Sequence, residues 1–411
     1  MVKYITIATV LLLPFASNSS ITRVDQLHSK CYELFDVSYD SVLFVANEAL
    51  KLSEKSGYSW GIANSYYIKA YVYDEQGDFS KALLMYLNAS SNIGELEDER
   101  SLKTSMDIAL NIGSILRKHY KYNEAIDFYD DALSKADVNH FPSKRLKLLY
   151  NKASVLQDKK DLPYAIETLN EAVQVSKMIE DDRMMLKCWN LLGLVFKDNG
   201  DYSSAKYHYQ KIIASPEAVK KAIALAFHNI GIVANNEKKY DSAIIAFSKA
   251  EALEKEIDHK EFLFMTLLET SKTYLKKNKP DKALHYSEEC EKLYGHVTRF
   301  PETFGVFHLL DSLNHLEGDF DASRKYSDQF HKESIAFFGR QKEIIKLKDQ
   351  FQIDLLIAGF YKEQEVKRRN SIFQRTIVVL LLIGFVTSLF FYLRHWIWRN
   401  DLRKSVAPYI K

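Results

Sequence analysis

The chain has 411 residues with 56 basic and 54 acidic side chains, and charges so nearly balanced give no overall field that favours nucleic acid. Seven prolines and 14 glycines are few for this length, which favours long helices. The three cysteines, Cys31, Cys188 and Cys290, are an odd number without CxxC spacing. They exclude a disulfide framework and a cysteine metal site, and they predict buried free thiols.

The N-terminus has the order of a secretory signal. Lys3 is a minimal basic region, residues 4–15 are apolar, and small residues such as Ala16 and Ser17 follow. The apolar segment is too short to span a membrane comfortably. We therefore predict a signal peptide over residues 1–19, with an uncleaved signal anchor as the alternative. Both interpretations export the middle of the chain.

The stretch 188–212 has the spacing of two helices packed face to face. Residues three and four apart share one helix face, so the sequence predicts two facing stripes. Gly193 and Ala205 are small and allow the helices to approach closely, whereas Gly200 suits a turn and Asp201 a helix N-cap. The stripes are Trp189, Leu192, Gly193 and Phe196 on the first helix, and Ala205 and Tyr209 on the second.

The pattern of the second helix recurs along the chain. A small or apolar residue is usually followed four positions later by an aromatic or apolar residue, and often seven positions later by alanine. The steps between successive copies are near 40 residues, which predicts a repeat architecture. The copies begin at Val42, Ala82, Ala125, Ala165, Ala205, Ala243, Ala283 and Ala322.

These motifs resemble the tetratricopeptide repeat (TPR) family over roughly residues 22–330. The resemblance implies an all-α, right-handed superhelical solenoid of about eight helix pairs. We predict a degenerate capping repeat over 20–58 and the repeat array over 59–330. The period is near 40 rather than 34, and the closing proline is mostly absent, which predicts longer helices or longer connections.

Residues 331–375 predict one continuous helix between the repeats and the membrane. The apolar positions fit a heptad seam, so a homodimer through residues 335–360 is one hypothesis. The alternative is a helix that packs on the final repeat. The seam consists of Ile344, Leu347, Phe351, Leu355 and Ala358.

Residues 376–393 are 18 consecutive uncharged residues, which predicts a single transmembrane helix. Tyr392, Trp396 and Trp398 lie at its end, where an aromatic belt is expected. Basic residues on the two sides nearly balance, so the signal peptide decides the orientation. We expect the repeats in the periplasm of a bacterium, the span in the inner membrane, and a short basic cytoplasmic tail over 394–411.

In the TPR family the first helices line a concave groove, so the resemblance implies that this groove binds a protein or peptide. Its aromatic anchors would lie at Tyr67, Tyr71 and Tyr150, with basic residues in the middle. The clamp of chaperone-binding members is incomplete, because Leu194 stands one turn after Asn190, where a second asparagine is required. The predicted groove residues are Tyr67, Tyr71, Asp74, Arg117, Lys147, Tyr150, Lys187, Asn190, Lys197 and His228.

No nucleotide-binding, zinc-protease or serine-hydrolase motif is present, and no histidine has metal-ligand spacing, which predicts neither enzyme activity, cofactor nor metal. The layout resembles bacterial envelope proteins of a Bacteroidetes-like type. Two functions follow from it: a membrane-anchored scaffold that binds a protein or peptide partner in the periplasm, or the extracytoplasmic sensor of a transmembrane signalling or transcription-regulating system.

Overall fold

The computed structural model describes residues 19–93, 98–136, 140–298, 301–340, 353–362, 364–366, 368–369 and 372. Within these residues the chain is helical and has no strand. Helix α1 covers residues 19–34. The helices that follow are α2 (Tyr39–Ser56), α3 (Ser59–Glu75), α4 (Phe79–Ile93), α5 (Glu99–Lys118), α6 (Tyr122–Lys135), α7 (Pro142–Asp158), α8 (Leu162–Met178), α9 (Asp182–Asp198), α10 (Tyr202–Ala214), α11 (Lys220–Asn236), α12 (Tyr240–Glu256), α13 (Lys260–Lys276), α14 (Pro280–Leu293), α15 (Pro301–Glu317) and α16 (Phe320–Arg340).

Long helices account for the period of about 40 residues. Helices α7, α8 and α9 have 17 residues each, and three-residue links join them. In the central repeats, therefore, the long period results from long helices rather than from long connections. Odd-numbered helices from α3 onward are the first helices of each pair, and even-numbered helices are the second.

The turn inside each pair is closed by a residue in the left-handed backbone region. Gly200 has φ of 78° and Lys160, at the equivalent position, has φ of 66°. After Gly200, the amide of Asp201 donates to the carbonyl of Phe196 at 2.9 Å, which satisfies a carbonyl at the helix end. The same closure occurs at Gly77, Tyr120, Lys238, Asn278 and Gly318.

The predicted N-cap at Asp201 is confirmed. Its carboxylate accepts from the amide of Ser204 at 3.0 Å. Hydrogen bonds from the side chain and then the backbone of Ser204 hold the pKa of Asp201 below its ordinary value. Asp181 caps α9 in the same way through the amide of Met184, also at 3.0 Å. Aspartates in two successive links therefore fix where the next helix begins.

In two central pairs, α9–α10 and α11–α12, a glycine of the first helix packs against an aromatic ring of the second. A Cβ on Gly193 would lie 2.4 Å from the ring of Tyr209, and a Cβ on Gly231 would lie 2.4 Å from the ring of Phe247. Both rings are fully buried. Only glycine lets the first helix approach the ring this closely, which confirms the predicted packing of Gly193 against the second helix.

The core continues from pair to pair rather than closing within one. One apolar cluster joins Leu149 on α7, Leu169 on α8 and Leu192 on α9, all fully or almost fully buried. Burial of one such leucine stabilises the fold by roughly 1.5–3 kcal/mol. Cys188 belongs to the same cluster, and burial raises its pKa to about 12. Cys31 and Cys290 are also buried and free, as predicted.

The structure shows no break at residue 330. Helix α16 begins at Phe320 and runs to Arg340, so the first ten residues of the predicted juxtamembrane helix belong to the last pair. Phe337 packs on the apolar cluster of α13–α15. The chain is helical again over 353–362, in a second unit.

Several sequence predictions lie partly or wholly outside the described residues. These include the signal peptide, the span 376–393, the tail 394–411 and most of the heptad seam. Of the seam, Leu355 and Ala358 are described, and both are exposed. Among the described helices, none is long and apolar enough to cross a membrane.

Candidate partner-binding surface

The first helices of neighbouring pairs lie against one another. Helix α5 contacts both α3 and α7, and α9 contacts both α7 and α11, in addition to their neighbours along the chain. Successive second helices make no comparable contacts in the described part of the chain. The first helices therefore form one continuous surface, which we call the first-helix face: the side chains of α3, α5, α7, α9 and α11 that do not enter the cores.

The aromatic end of this face is only partly open. Tyr71 is 40 % exposed and its ring meets that of Phe35 edge-on at 5.2 Å. Tyr67 is half-buried and hydrogen bonded to Asn111; desolvation raises its pKa above the usual range. Tyr150 packs against the core cluster of α7–α9. Of the three predicted anchors, Tyr71 offers the most surface.

Two of the predicted charged residues are held in ion pairs between first helices. Arg117 on α5 donates through Nε to Asp158 on α7 at 2.6 Å. Asp74 on α3 lies 3.9 Å from the amine of Lys118 on α5. These side chains are partly exposed, so each pair contributes at most about 1 kcal/mol. They link successive first helices rather than standing free for a partner.

Asn190 and His228 also face neighbouring helices. Asn190 on α9 accepts from the amide nitrogen of Asn229 on α11 at 3.0 Å. His228 on α11 is hydrogen bonded through Nδ1 to Thr266 Oγ1 on α13 at 2.9 Å. Burial lowers the pKa of His228 to about 4, so the ring is neutral at physiological pH.

The remaining predicted cations divide into two groups. Lys197 lies 3.3 Å from Asp198 on its own helix. Lys147 on α7 and Lys187 on α9 are exposed, and within the described residues neither has an acidic partner at ion-pair distance. They occupy equivalent positions of successive repeats. The basic middle of the face is therefore centred on these two lysines.

Arg183 is a further cation of this face, which the sequence analysis did not predict. It lies one turn before Lys187 on α9, is exposed, and likewise has no ion-pair partner among the described residues. Arg183 and Lys187 are four residues apart and therefore lie on one side of the helix. This spacing could have predicted Arg183 from the sequence. Leu194 and Leu225, part-exposed on the same face, add apolar surface beside the cations.

The described residues contain no group of three or more His, Cys, Asp or Glu side chains that could hold a metal ion. The half-buried histidines are used in packing instead. The ring of His208 stacks on Phe196 at 5.4 Å, and burial lowers its pKa to about 4.

Comparison with known proteins identifies the fold. No family model matches the chain, and no curated protein matches it. Among solved structures, a signal transduction ATPase with a tetratricopeptide repeat sensor from Pyrococcus horikoshii superposes with a TM-score of 0.55 at 13 % identity, covering 81 % of this chain and 55 % of that one.

The fold is a TPR-like repeat array. A tetratricopeptide repeat protein from Parabacteroides merdae is also similar, with a TM-score of 0.47, 18 % identity, and coverage of 70 % of this chain and 98 % of that one. The chain spans about half the length of the Pyrococcus protein, and at such identities the likeness extends to the fold alone.

Proposed function

We propose that this TPR-like array is a scaffold without enzyme activity that binds an acidic segment of a partner protein along the first-helix face. One observation carries the proposal: Lys147, Arg183 and Lys187 stand exposed on two adjacent first helices, and none has an acidic partner among the described residues. Part-exposed Tyr150 and Leu194 lie on the same helices. Cations beside apolar surface match a segment that alternates carboxylates with apolar side chains.

The pairing of other polar groups supports this location. Arg117, Asn190 and His228 already have partners on neighbouring helices, so a ligand gains little by replacing those contacts. Lys147 and Lys187 have no such contact to lose. An incoming carboxylate would therefore gain its full electrostatic interaction with them.

Selection of 12-residue peptides displayed on phage against the full chain tests the proposal. We expect selected peptides to be enriched in Asp and Glu. The double variant Lys147→Glu, Lys187→Glu should bind a selected peptide about tenfold more weakly, equivalent to about 1.4 kcal/mol.

The matched control is Lys177→Glu, Lys249→Glu, which reverses two exposed lysines on second helices α8 and α12. It should leave affinity unchanged. Selected peptides without acidic residues, or equal losses in both double variants, would remove the proposed site.

We further propose that the scaffold is anchored in the bacterial inner membrane by residues 376–393, with the repeats in the periplasm. The support is the uncharged 18-residue run and the apolar N-terminal segment in the sequence. The sensor function and the homodimer through 335–360 depend mainly on residues outside the described ones, and both stay hypotheses.

A further inference from the structure

Three side chains connect a buried carboxyl group with the first-helix face. Glu254, near the end of α12, is 1 % exposed, and its Oε1 accepts from Thr266 Oγ1 at 2.9 Å. Thr266 on α13 is fully buried, and its Oγ1 also lies 2.9 Å from Nδ1 of His228 on α11. The second carboxyl oxygen of Glu254, Oε2, is buried without a partner in the described structure.

The number of protons fixes how this chain of contacts can be arranged. A threonine hydroxyl has one proton, and a neutral imidazole has one N–H. When Glu254 is ionised, Thr266 donates to it, and His228 must donate from Nδ1. The remaining ring nitrogen, Nε2, is then a hydrogen-bond acceptor.

Protonation of Glu254 reverses every donor in the chain. A proton on Oε2 would be a buried donor without an acceptor, which costs about 1–3 kcal/mol, so the proton is held on Oε1. Oε1 then donates to Thr266, and the threonine proton turns toward Nδ1 of His228. The ring must carry its own proton on Nε2, which becomes a donor.

We propose that protonation of Glu254 is relayed through Thr266 and converts Nε2 of His228 on the first-helix face from a hydrogen-bond acceptor to a donor. Glu254 takes up one proton from solvent. The ring of His228 stays neutral, because its single proton only moves from one nitrogen to the other. Nε2 has no partner among the described residues and is not enclosed, so this change is presented to the surface.

Burial of Glu254 places the change near neutral pH. Desolvation raises the pKa of Glu254 to about 7. The hydrogen bond from Thr266 lowers this pKa, and the charge of Glu251 on the same helix raises it. Desolvation lowers the pKa of His228 to about 4; Glu269 on α13 raises it and Lys197 on α9 lowers it further. The ring is therefore neutral throughout the range in which Glu254 titrates.

The consequence for binding rests on the function proposed above. Above pH 7 this position of the face would accept a hydrogen bond from an N–H or hydroxyl group of a bound segment. Below pH 7 it would donate to a carbonyl or carboxylate. His228 would thus set which chemical group the partner places against α11.

Acylation of histidine by diethyl pyrocarbonate tests the relay on the full chain without any partner. The reagent attacks a ring nitrogen that carries a free lone pair, and Nδ1 of His228 is occupied. The acylation of His228 is measured by mass spectrometry of the tryptic peptide 222–238. We expect its rate to rise about tenfold between pH 6 and pH 8, because the ionised fraction of Glu254, with a pKa of about 7, rises by this factor.

Glu254→Gln and Thr266→Val should each make the acylation of His228 independent of pH over this range. A wild-type profile that is already flat overturns the relay, even if neither variant folds. A rise that persists unchanged in both variants also overturns it, because His228 would then titrate by itself.

The ¹⁵N chemical shifts of histidine-labelled protein provide a second measurement, since they report directly which ring nitrogen carries the proton. The relay requires the proton of His228 to move from Nε2 to Nδ1 as pH rises. Neither measurement involves a ligand, so failure of the proposed partner binding leaves this result intact, and the reverse also holds.

Discussion

At the scale of single residues, the polar side chains of the first-helix face are divided between holding repeats together and facing solvent. Arg117, Asn190 and His228 each find a partner on the next first helix, about 40 residues away in sequence. Lys147 and Lys187 do not. The difference arises because a polar group at a helix–helix junction is partly desolvated and loses free energy unless it is paired.

Gly193→Ala should destabilise the array by about 1–3 kcal/mol, because the new methyl group would lie 2.4 Å from the buried ring of Tyr209. Urea unfolding followed by circular dichroism measures this loss. The control is Gly305→Ala on α15, where a Cβ meets nothing within 4 Å and the better helix propensity of alanine should stabilise slightly. Equal effects of the two substitutions would contradict the close-packing argument.

Glu254→Gln should remove a loss of stability that the wild type suffers as pH rises. The carboxyl has a pKa of about 7 when folded against about 4.5 when unfolded, so the native state binds more protons between these values and its stability falls across the window. The full penalty, about 3 kcal/mol, is reached above pH 7 and is absent below pH 4.5.

The difference in unfolding free energy between wild type and Glu254→Gln, measured from pH 5 to pH 8.5, isolates this contribution. His228 acts in the opposite direction below pH 6.5, because its pKa is lowered to about 4, but it is common to both proteins. Glu256→Gln, which removes an exposed carboxylate two residues on, serves as the control for the loss of a carboxylate from this helix end. A flat difference for Glu254→Gln would mean that this carboxyl is not desolvated.

At the scale of helices, each pair depends on a left-handed residue that ends the first helix. Glycine occupies this position at Gly77, Gly200 and Gly318, but four pairs place residues with a Cβ there. An L-residue in this conformation costs roughly 1–2 kcal/mol. Those four turns therefore store strain that neighbouring packing offsets, and they are sites at which stability can be raised.

Lys238→Gly should stabilise the array by about 1 kcal/mol, since Lys238 has φ of 61° and its exposed side chain makes no ion pair within the described structure. The reciprocal change, Gly200→Ala at the equivalent turn with φ of 78°, should destabilise by a similar amount. Thermal unfolding of both variants is the measurement. Shifts of the same sign would show that backbone conformation does not control these turns.

At the scale of the whole molecule, stability is a sum of contacts between neighbours, because the larger apolar clusters span adjacent pairs. Cluster members on α9, α10 and α11 show the same arrangement as those on α7, α8 and α9. A loss at one pair is therefore felt mainly by the two beside it. The first-helix face is continuous across neighbouring pairs for the same reason. An extended segment of the proposed partner could therefore contact several repeats at once.

The full chain should sediment with inner membranes and resist carbonate extraction, whereas removal of residues 376–393 should release it. The physical reason is an uncharged run long enough to cross the hydrocarbon core. Protease added to spheroplasts should then degrade the repeats if they lie outside. Recovery of the intact chain in the soluble fraction, or repeats protected from protease, would contradict the membrane and orientation predictions respectively.

The architecture was predictable from sequence because it depends on spacing. Residues three and four apart share a helix face wherever the helix lies, so Gly193 and Tyr209 could be assigned to facing stripes before either was seen. The period of about 40 residues likewise gave the pairs, and the turn at Gly200 with its cap at Asp201 followed from local backbone chemistry.

The binding surface was only half predictable, since spacing shows which side of its own helix a residue occupies but not what the next helix places against it. Arg117 and His228 share the register of the exposed lysines, yet Asp158 and Thr266 occupy them. Glu254 lies among charged residues near a helix end, and packing of α12 against α13 buries it. The sequence by itself determined the helices, their period and their facing stripes; only the tertiary structure decided which polar groups are paired, buried or free, because that depends on contacts between residues far apart in the chain.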